Sequence, residues 1–293
     1  MTRKKQTKYF FLFISPWIIG FLAFTIYPML SSLFFSLTDY DALTAPVFVG
    51  LENYKEVLHD PILKISVKAT LWYTLLNVPI GLLLSLLLAM LLNATRRCKG
   101  FFRTVLYLPS MVSGVSLALL WSWIFNPEYG VANYLLGKLG IQGPLWLMDE
   151  KWAVPSLAIM SFWSIGTGIV LFLAALQGVP RSLTEAAVLD GANWYMRLRH
   201  VTLPMISPIF LFQLIIEFIN SFQVFTQAFV MTKGGPHYAT NFYVYYIYQN
   251  AFVNFRMGYA SALSWILLAV VMIVTVLIMK CSDRFVYYEG GDN

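Results

Sequence analysis

VPRSLTEAAVLDGANWYMRLRHVTLPMISP, residues 179–208, is the longest markedly polar run between two apolar segments of this chain. Ser182 and Glu185 have the spacing of a capping box, in which the serine hydroxyl accepts the Glu185 N–H and the glutamate carboxylate accepts the Ser182 N–H. Gly191 should end the short helix that follows, because glycine enters the left-handed conformation without a side-chain penalty. Asn193 can then cap a second helix. The run therefore predicts two short helices, bent at a glycine, between two hydrophobic segments.

The first of these helices has a composition suited to docking. Ala186 and Ala187 would let another surface come within backbone distance, and Glu185 would offer that surface a charge. Such a helix suits insertion into a groove of another protein. The alternative is an ordinary amphipathic helix that lies on a membrane surface. Pro204 and Pro208 fall at the start of the next apolar run, where a missing N–H costs little.

The composition places the chain among membrane proteins. Hydrophobic residues make up 59% and charged residues 12% of the sequence, and the charged share is about half that of a soluble domain. A membrane-spanning helix needs about 20 apolar residues. The runs that are long enough lie at about 9–37, 68–93, 103–125, 153–177, 205–232 and 258–281. We therefore predict an all-α membrane protein with six transmembrane helices in a single domain over residues 1–293, in which the polar loop 178–204 joins the fourth and fifth helices. The first helix should be kinked at Pro16 and Pro28.

Basic residues are distributed unevenly between the two sides of the predicted membrane. With the N-terminus inside, most of the 20 lysines and arginines fall in cytoplasmic segments, and most acidic residues fall outside. By the positive-inside rule, both termini and the loop 178–204 are cytoplasmic. The outer segments are then 38–67, 126–152 and 233–257. The tyrosine-rich part of the last one, Tyr238 to Phe255, is expected to form a short helix lying flat on the outer surface.

The sequence lacks the common motifs of nucleotide binding, catalysis and metal binding. There is no G-x-x-x-x-G-K-[ST] phosphate-binding loop, so the chain should not bind ATP itself. No nucleophile elbow, zinc signature or pair of catalytic carboxylates can be placed, and the histidines show no metal spacing. The two cysteines give no disulfide framework. The basic excess does not gather on a soluble domain, which argues against nucleic acid as a partner. We expect no catalytic residues and no metal site, and an energy source in a partner or an ion gradient.

Glu217 is the one acidic residue inside a predicted span. A charge near the bilayer centre costs roughly 2.5–3.5 kcal/mol on insertion scales, so this side chain is expected to face protein or water. At about 100° per residue, a stripe within about 80° of the helix circumference contains Gln213, Glu217, Asn220 and Gln227. The stripe could line a polar route in which a carboxylate and amides bond sugar hydroxyls. The alternative is a structural network that joins helices within the membrane.

Several motifs together carry a resemblance to a known family. The spacing of the EAA loop in permease subunits of bacterial ABC importers is matched by Glu185-Ala186-Ala187, Gly191, Val201, Leu203 and Pro204. Val201 stands where that family favours isoleucine, and the exchange keeps the branched apolar character. The segments that resemble the maltose-type permeases of carbohydrate uptake are 49–54, 101–104, 126–130, 190–192, 221–225 and 234–236. Nearly the whole chain is thus similar to a type I ABC importer permease for a sugar or oligosaccharide.

The resemblance implies a larger assembly. A second homologous permease would complete the pore, two ATPase subunits would bind ATP and Mg²⁺ on the cytoplasmic side, and an extracellular solute-binding protein would deliver the sugar. This chain would hold no cofactor, would contact membrane lipid, and would lie in the cytoplasmic (inner) membrane of a bacterium. The residues implied for coupling to the ATPase are Glu185, Ala186, Ala187, Asp190, Gly191, Ala192, Leu203 and Pro204. The alternative is an ion-coupled secondary carrier that uses Glu217, although such carriers usually show internal repeats and none is evident in this sequence.

Overall fold

The computed structural model describes residues 3–95, 98–282 and 286, with side chains from Phe10 onward. The regular secondary structure of this part is helical apart from one two-stranded antiparallel sheet, in which β1 Thr38–Asp39 pairs with β2 Val47–Phe48. The chain divides into two compact units. The first combines Met1–Asp60 with Ile247–Ala269, and the second combines Pro61–Tyr246 with Val270–Asn293.

The first unit contains the first apolar run as a continuous helix. Its helical elements are α1 Arg3–Phe21, a π-helical turn Leu22–Ile26, α2 Tyr27–Phe35, α3 Glu52–His59, a π-helical turn Gln249–Val253 and the first part of α14 Met257–Ser282. The expected kink at Pro28 takes the form of the first π turn, in which the Tyr27 N–H bonds the carbonyl of Leu22. Because proline has no N–H to donate, the wider register just before it relieves the helix without breaking it.

The 49–54 motif has a structural explanation in the first unit. Asn53 is buried and donates its amide to the carbonyl oxygens of Ser36 and Thr38 at 3.0 and 2.9 Å. The Tyr54 hydroxyl lies 2.8 Å from the Ser36 hydroxyl. These bonds satisfy buried carbonyl groups that follow the end of α2. The motif therefore holds α3 against the segment that follows α2.

The second unit is built around the long helix α4. Its elements are α4 Pro61–Ala94, α5 Lys99–Tyr107, a 3₁₀ turn Leu108–Met111, α6 Gly114–Ile124, α7 Val131–Lys138, a 3₁₀ turn Trp146–Met148, α8 Glu150–Phe162, α9 Gly166–Gly178, α10 Arg181–Leu189, α11 Trp194–Arg197, a π turn Leu198–Thr202, α12 Leu203–Phe222, a π turn Ala228–Thr232, α13 Tyr243–Tyr248 (its last two residues in the first unit) and the end of α14. Helix α4 packs against α9 and α12 through buried side chains that include Leu82, Phe172 and Ile206. Small residues let such helices approach closely, and a Cβ on Gly166 would lie 2.6 Å from the carbonyl oxygen of Leu106.

Four described helices are long and apolar enough to cross a membrane, and up to six spans result if each of two bent pairs counts as one. The four are Phe10–Phe35, Pro61–Ala94, Trp194–Phe222 and Met257–Ser282. The bent pairs replace the predicted straight helices 103–125 and 153–177: Lys99–Met111 meets Gly114–Ile124 at 97°, and Glu150–Phe162 meets Gly166–Gly178 at 50°. The first bend follows from extended backbone at Val112 and Ser113, with the Ser113 hydroxyl capping α6.

Two further expectations need correction. The predicted fifth helix, 205–232, instead begins at Trp194, ends at Phe222, and is followed by a break at 223–225 before the π turn. The predicted surface helix within 238–255 exists as α13, but Tyr243, Tyr245 and Tyr246 on it are buried. The Tyr243 N–H bonds the hydroxyl of Thr70 at 2.9 Å. Helix α13 therefore packs against the protein through its tyrosine side chains, and a hydrogen bond joins it to α4.

Candidate functional site

The polar loop begins without the predicted capping box. Helix α10 starts at Arg181, its N-cap position is Pro180, and no side chain caps it. Val179 is extended, as the residue before a proline tends to be, so the chain enters the helix two residues earlier than expected. Ser182 is then already helical and cannot act as the cap, which makes the predicted Ser182–Glu185 box wrong.

The end of α10 forms the turn that the glycine predicted. Gly191 has φ +80°. The Ala192 N–H bonds the carbonyl of Ala187 at 2.9 Å, and the Gly191 N–H bonds the carbonyl of Val188 at 3.0 Å. This pair of bonds is a Schellman motif, which requires the left-handed conformation at the position of Gly191. The predicted bend at the glycine is confirmed.

Helix α11 is capped as predicted but does not stay short. The Asn193 side chain accepts the Met196 N–H at 2.9 Å. The helix then continues through the π turn Leu198–Thr202 into α12, so Trp194–Phe222 is one rod of 29 residues. The Leu203 N–H bonds the carbonyl of Leu198 directly before Pro204, the same arrangement that precedes Pro28. The second helix of the loop is thus the first part of the fifth span.

The loop presents an exposed apolar surface. Ala186 is exposed and Ala187 half-buried. Leu189 is 88% exposed. The other large apolar side chains exposed on α10 and α11 are Leu183, Val188, Trp194, Tyr195 and Met196. Glu185 is also exposed, and its carboxylate makes no hydrogen bond or ion pair with another residue of the described part. An exposed apolar cluster with a free charge is typical of a protein-binding surface.

A cleft of about 710 Å³ lies behind this surface. Glu185 and Arg181 of α10 line it, together with Asn93 at the end of α4 and Lys99 at the start of α5. Lys99 Nζ lies 3.4 Å from the side-chain oxygen of Asn93. Polar residues at the ends of α4 and α5 therefore lie beside the base of α10.

A second polar site is a cavity of about 400 Å³ within the second unit. Three interruptions of the helices meet at it, because its lining includes Val112 between α5 and α6, Ser164 between α8 and α9, and Gln223 after α12. Non-helical backbone at membrane depth is tolerated where it is buried in protein or lines a water-filled cavity. The volume is within the range of about 300–1,000 Å³ that small-molecule sites occupy.

The predicted stripe is only partly gathered at this cavity. Glu217, Asn220 and Gln227 line it, although Gln227 lies beyond the break and not on the same helix as the other two. Gln213 does not line it and is 3% exposed. It packs beside Gly168, where a Cβ would lie 2.7 Å from the Gln213 amide nitrogen. Gln223 lines the cavity and was missed, because the sequence around it has no glycine or proline to signal the break.

The polar groups of the cavity fall into two sets. On α4, Tyr73 hydrogen-bonds the Ser161 hydroxyl at 2.6 Å, and Asn77 donates to the Ser221 hydroxyl at 3.0 Å. These groups join helices. The lining side chains that make no hydrogen bond with another residue of the described part are Glu217, Asn220, Gln223, Gln227, Ser164 and Thr226. The second set is therefore free to bind something that enters the cavity.

Comparison with known proteins gives consistent results. Residues 81–287 match the family model described as binding-protein-dependent transport system inner membrane component. The chain is 42% identical over 285 residues to the probable ABC transporter permease protein YesP of Bacillus subtilis, covering 96% of this chain and 92% of the relative. It is 32% identical over 287 residues to the arabinooligosaccharides transport system permease protein AraP of the same organism, covering 96% and 90%. A chain of the crystal structure of a bacterial ABC transporter that imports the acidic polysaccharide alginate has the same fold, with a TM-score of 0.85, 24% identity, and 97% of this chain and 98% of that chain covered.

Proposed function

This chain belongs to the family of binding-protein-dependent transport system inner membrane components, and on that premise we propose that its cavity carries a sugar or oligosaccharide across the cytoplasmic membrane. It is a multi-pass membrane permease of an ABC transporter. The observation that carries the sugar proposal is the set of six polar side chains around the 400 Å³ cavity that make no hydrogen bond with another described residue. A carboxylate, three amides and two hydroxyls supply acceptors and donors for several hydroxyl groups at once.

The free side chains also bear on the rival roles of Glu217. A structural network would engage its carboxylate with neighbouring helices, yet Glu217 has no hydrogen-bond partner among the described residues. The ion-coupled carrier that uses Glu217 gains no support, since the family is one of binding-protein-dependent transport. The name of AraP, a relative at 32% identity, records arabinooligosaccharides, which supports an oligosaccharide as the cargo of this chain.

The exposed loop is the proposed coupling element. ATP and Mg²⁺ would be bound by two partner ATPase subunits, because the sequence has no phosphate-binding loop of its own. The proposed contacts with those subunits come from Glu185, Ala186, Ala187, Asp190, Gly191, Ala192, Leu203 and Pro204. Residues 194 and 217 lie on the same rod, about 35 Å apart at 1.5 Å per residue. A displacement of the loop would therefore reach the cavity wall through one continuous helix.

The remaining partners follow from the same premise. A second homologous permease would close the other side of the path, a solute-binding protein would deliver the sugar, and lipid would cover the exposed apolar sides of the spans. Both termini and the loop are proposed to be cytoplasmic. Of the basic residues that favour this orientation, Lys99, Arg103 and Arg181 lie in described helices, whereas Arg96, Arg97 and Arg284 lie outside the described residues.

Reconstitution tests the proposal directly. The chain, a second permease, ATPase subunits and a solute-binding protein encoded beside it would be assembled in liposomes, and uptake of labelled oligosaccharides would be measured. We expect uptake that requires ATP on the side of the membrane that corresponds to the cytoplasm. This uptake should persist when ionophores dissipate the ion gradients. Uptake that needs an ion gradient and proceeds without ATP would contradict the proposal. An external readout from a reporter fused within 178–203 would contradict the orientation.

A further inference from the structure

The charge on the cavity wall has only one sign. Glu217 is the one carboxylate among the described residues that line the cavity, and no lysine, arginine or histidine is among them. Glu217 is half-buried, and Asn220 and Gln223 are exposed. An anion that entered this site would meet a carboxylate and find no cation on this wall.

The side chains that have no hydrogen-bond partner also bear on which ligand the cavity can hold. The hydroxyls of Tyr73 and Ser161 are bonded to each other at 2.6 Å, so they contribute little to a ligand. The free set consists of one carboxylate, three amides and the hydroxyls of Ser164 and Thr226. An ionised carboxylate only accepts hydrogen bonds, and those it accepts from hydroxyl or ammonium groups are among the stronger ones. Neutral sugars offer hydroxyl donors, and amino sugars offer a cation as well.

We propose that this cavity selects saccharides that carry no anionic group, and that Glu217 is the residue that imposes the selection. The inference rests on the proposed function of the cavity as the sugar path. A uronate or a sugar phosphate would bring a second negative charge beside Glu217 in a partly desolvated site, where like charges repel more strongly than in water. It would also lose water without gaining a paired cation.

The fold does not determine this preference. A transporter described as importing an acidic polysaccharide shares the fold, with a TM-score of 0.85. Selection between charged and uncharged sugars within the cavity therefore depends on side chains, and Glu217 supplies the charge on the wall that this chain contributes. Specificity of this kind depends on a group that disfavours the wrong ligand as much as on groups that favour the right one.

The test uses pairs of di- and trisaccharides that differ only in whether C6 is a hydroxymethyl group or a carboxylate. Equilibrium binding is measured on the assembled transporter in lipid nanodiscs without the solute-binding protein, so that the specificity of that protein does not enter. We expect the neutral member of at least one pair to bind wild type at least tenfold more tightly than its uronate. Glu217→Gln should reduce that ratio at least fivefold, and Glu217→Lys should favour the uronate. Glu150→Gln, at the start of α8 and outside the cavity, should leave the ratio unchanged.

The outcomes separate the charge selection from the proposed function. If wild type bound uronates as tightly as neutral sugars, or if Glu217→Gln left the ratio unchanged, the charge selection would be overturned while the sugar path stood. The sugar path has its own check, because Gln223→Ala should weaken binding of the neutral sugar. If wild type bound no saccharide of any pair, the proposed function would fail and this inference would fail with it.

Discussion

The two ends of the rod Trp194–Phe222 are built in opposite ways. At the loop end, α10 and α11 expose apolar side chains, and their shape is set by backbone bonds within a dozen residues, as the Schellman motif at Gly191 shows. At the cavity end, free polar side chains meet where interruptions between distant helices coincide. A docking surface needs only a rigid local turn, whereas a binding cavity needs several helices to stop at the same place. We therefore expect a substitution beside the cavity to impair assembly of the permease, and substitutions in the loop to impair its coupling to the ATPase.

The largest effect should come from crowding the helix contact beside the cavity. In Gly166→Ala the new Cβ would lie 2.6 Å from the carbonyl oxygen of Leu106 and 2.8 Å from the Cα of Tyr107. Backbone atoms cannot rotate away, and overpacking costs about 1–3 kcal/mol or more. We expect less assembled protein in the membrane and a lower unfolding temperature in detergent. Gly178→Ala on the same helix, with open space around the new Cβ, is the matched control and should behave as wild type.

The next effect, at the loop end, should leave assembly of the permease intact. Gly191 has φ +80°, and a β-branched residue in that conformation is strained by about 1–3 kcal/mol. Gly191→Val should therefore misplace α10, reduce ATP-driven uptake at least tenfold, and lower the amount of ATPase that copurifies, with normal insertion in the membrane. Normal uptake with the ATPase bound would remove the bent helix pair from the coupling model. Gly137→Val on α7, where φ is not positive and space is open, controls for valine itself.

What the sequence could predict follows the same division. The turn at Gly191, the cap at Asn193, the membrane class and the all-helical fold depend on local bonds or on composition, and each is confirmed. The Ser182 cap was wrong because Pro180 had already set where the helix begins. These signals act over a few residues, so the chain itself reveals them.

The cavity could not be predicted in the same way. A hydropathy window long enough to find a span passes over a break of three residues, so the interruptions at 163–165 and 223–225 left no trace. On one continuous helix Gln213 would share a face with Glu217 and Gln223 would not, so Gln213 was assigned to the path and Gln223 was missed. Gln213 is directed elsewhere by its contact with Gly168, on a helix some 45 residues away in the sequence. Such positions depend on tertiary packing, which no local pattern encodes.

A smaller effect is expected at Glu185, and the missing capping box makes it easier to interpret. Its carboxylate has no partner among the described residues, so Glu185→Gln should leave the thermal stability of the permease unchanged. If a basic residue of the ATPase pairs with it, loss of the charge weakens a charge-assisted hydrogen bond that is worth about 1.5–3 kcal/mol. ATPase association, measured by copurification at graded salt, should weaken about tenfold or more. Association as tight as wild type would exclude an ion pair at this position.

The smallest effect is expected at the helix caps, where the observed cap at Asn193 is compared with the predicted cap at Ser182. Asn193→Ala removes the acceptor of the Met196 N–H, a bond of 2.9 Å, and loss of an N-cap costs about 1 kcal/mol. Because the rod continues for 29 residues, only its first turn should fray, with faster amide hydrogen exchange at 194–197 and a loss of coupling of less than about tenfold. Ser182→Ala is the matched control: Ser182 lies inside α10 and caps nothing, so exchange and coupling should both remain as in wild type. If Ser182→Ala frayed α10 as strongly as Asn193→Ala frays α11, helix α10 would begin at Ser182 in the membrane, and the free carboxylate that the Glu185 prediction depends on would instead be engaged in its own helix.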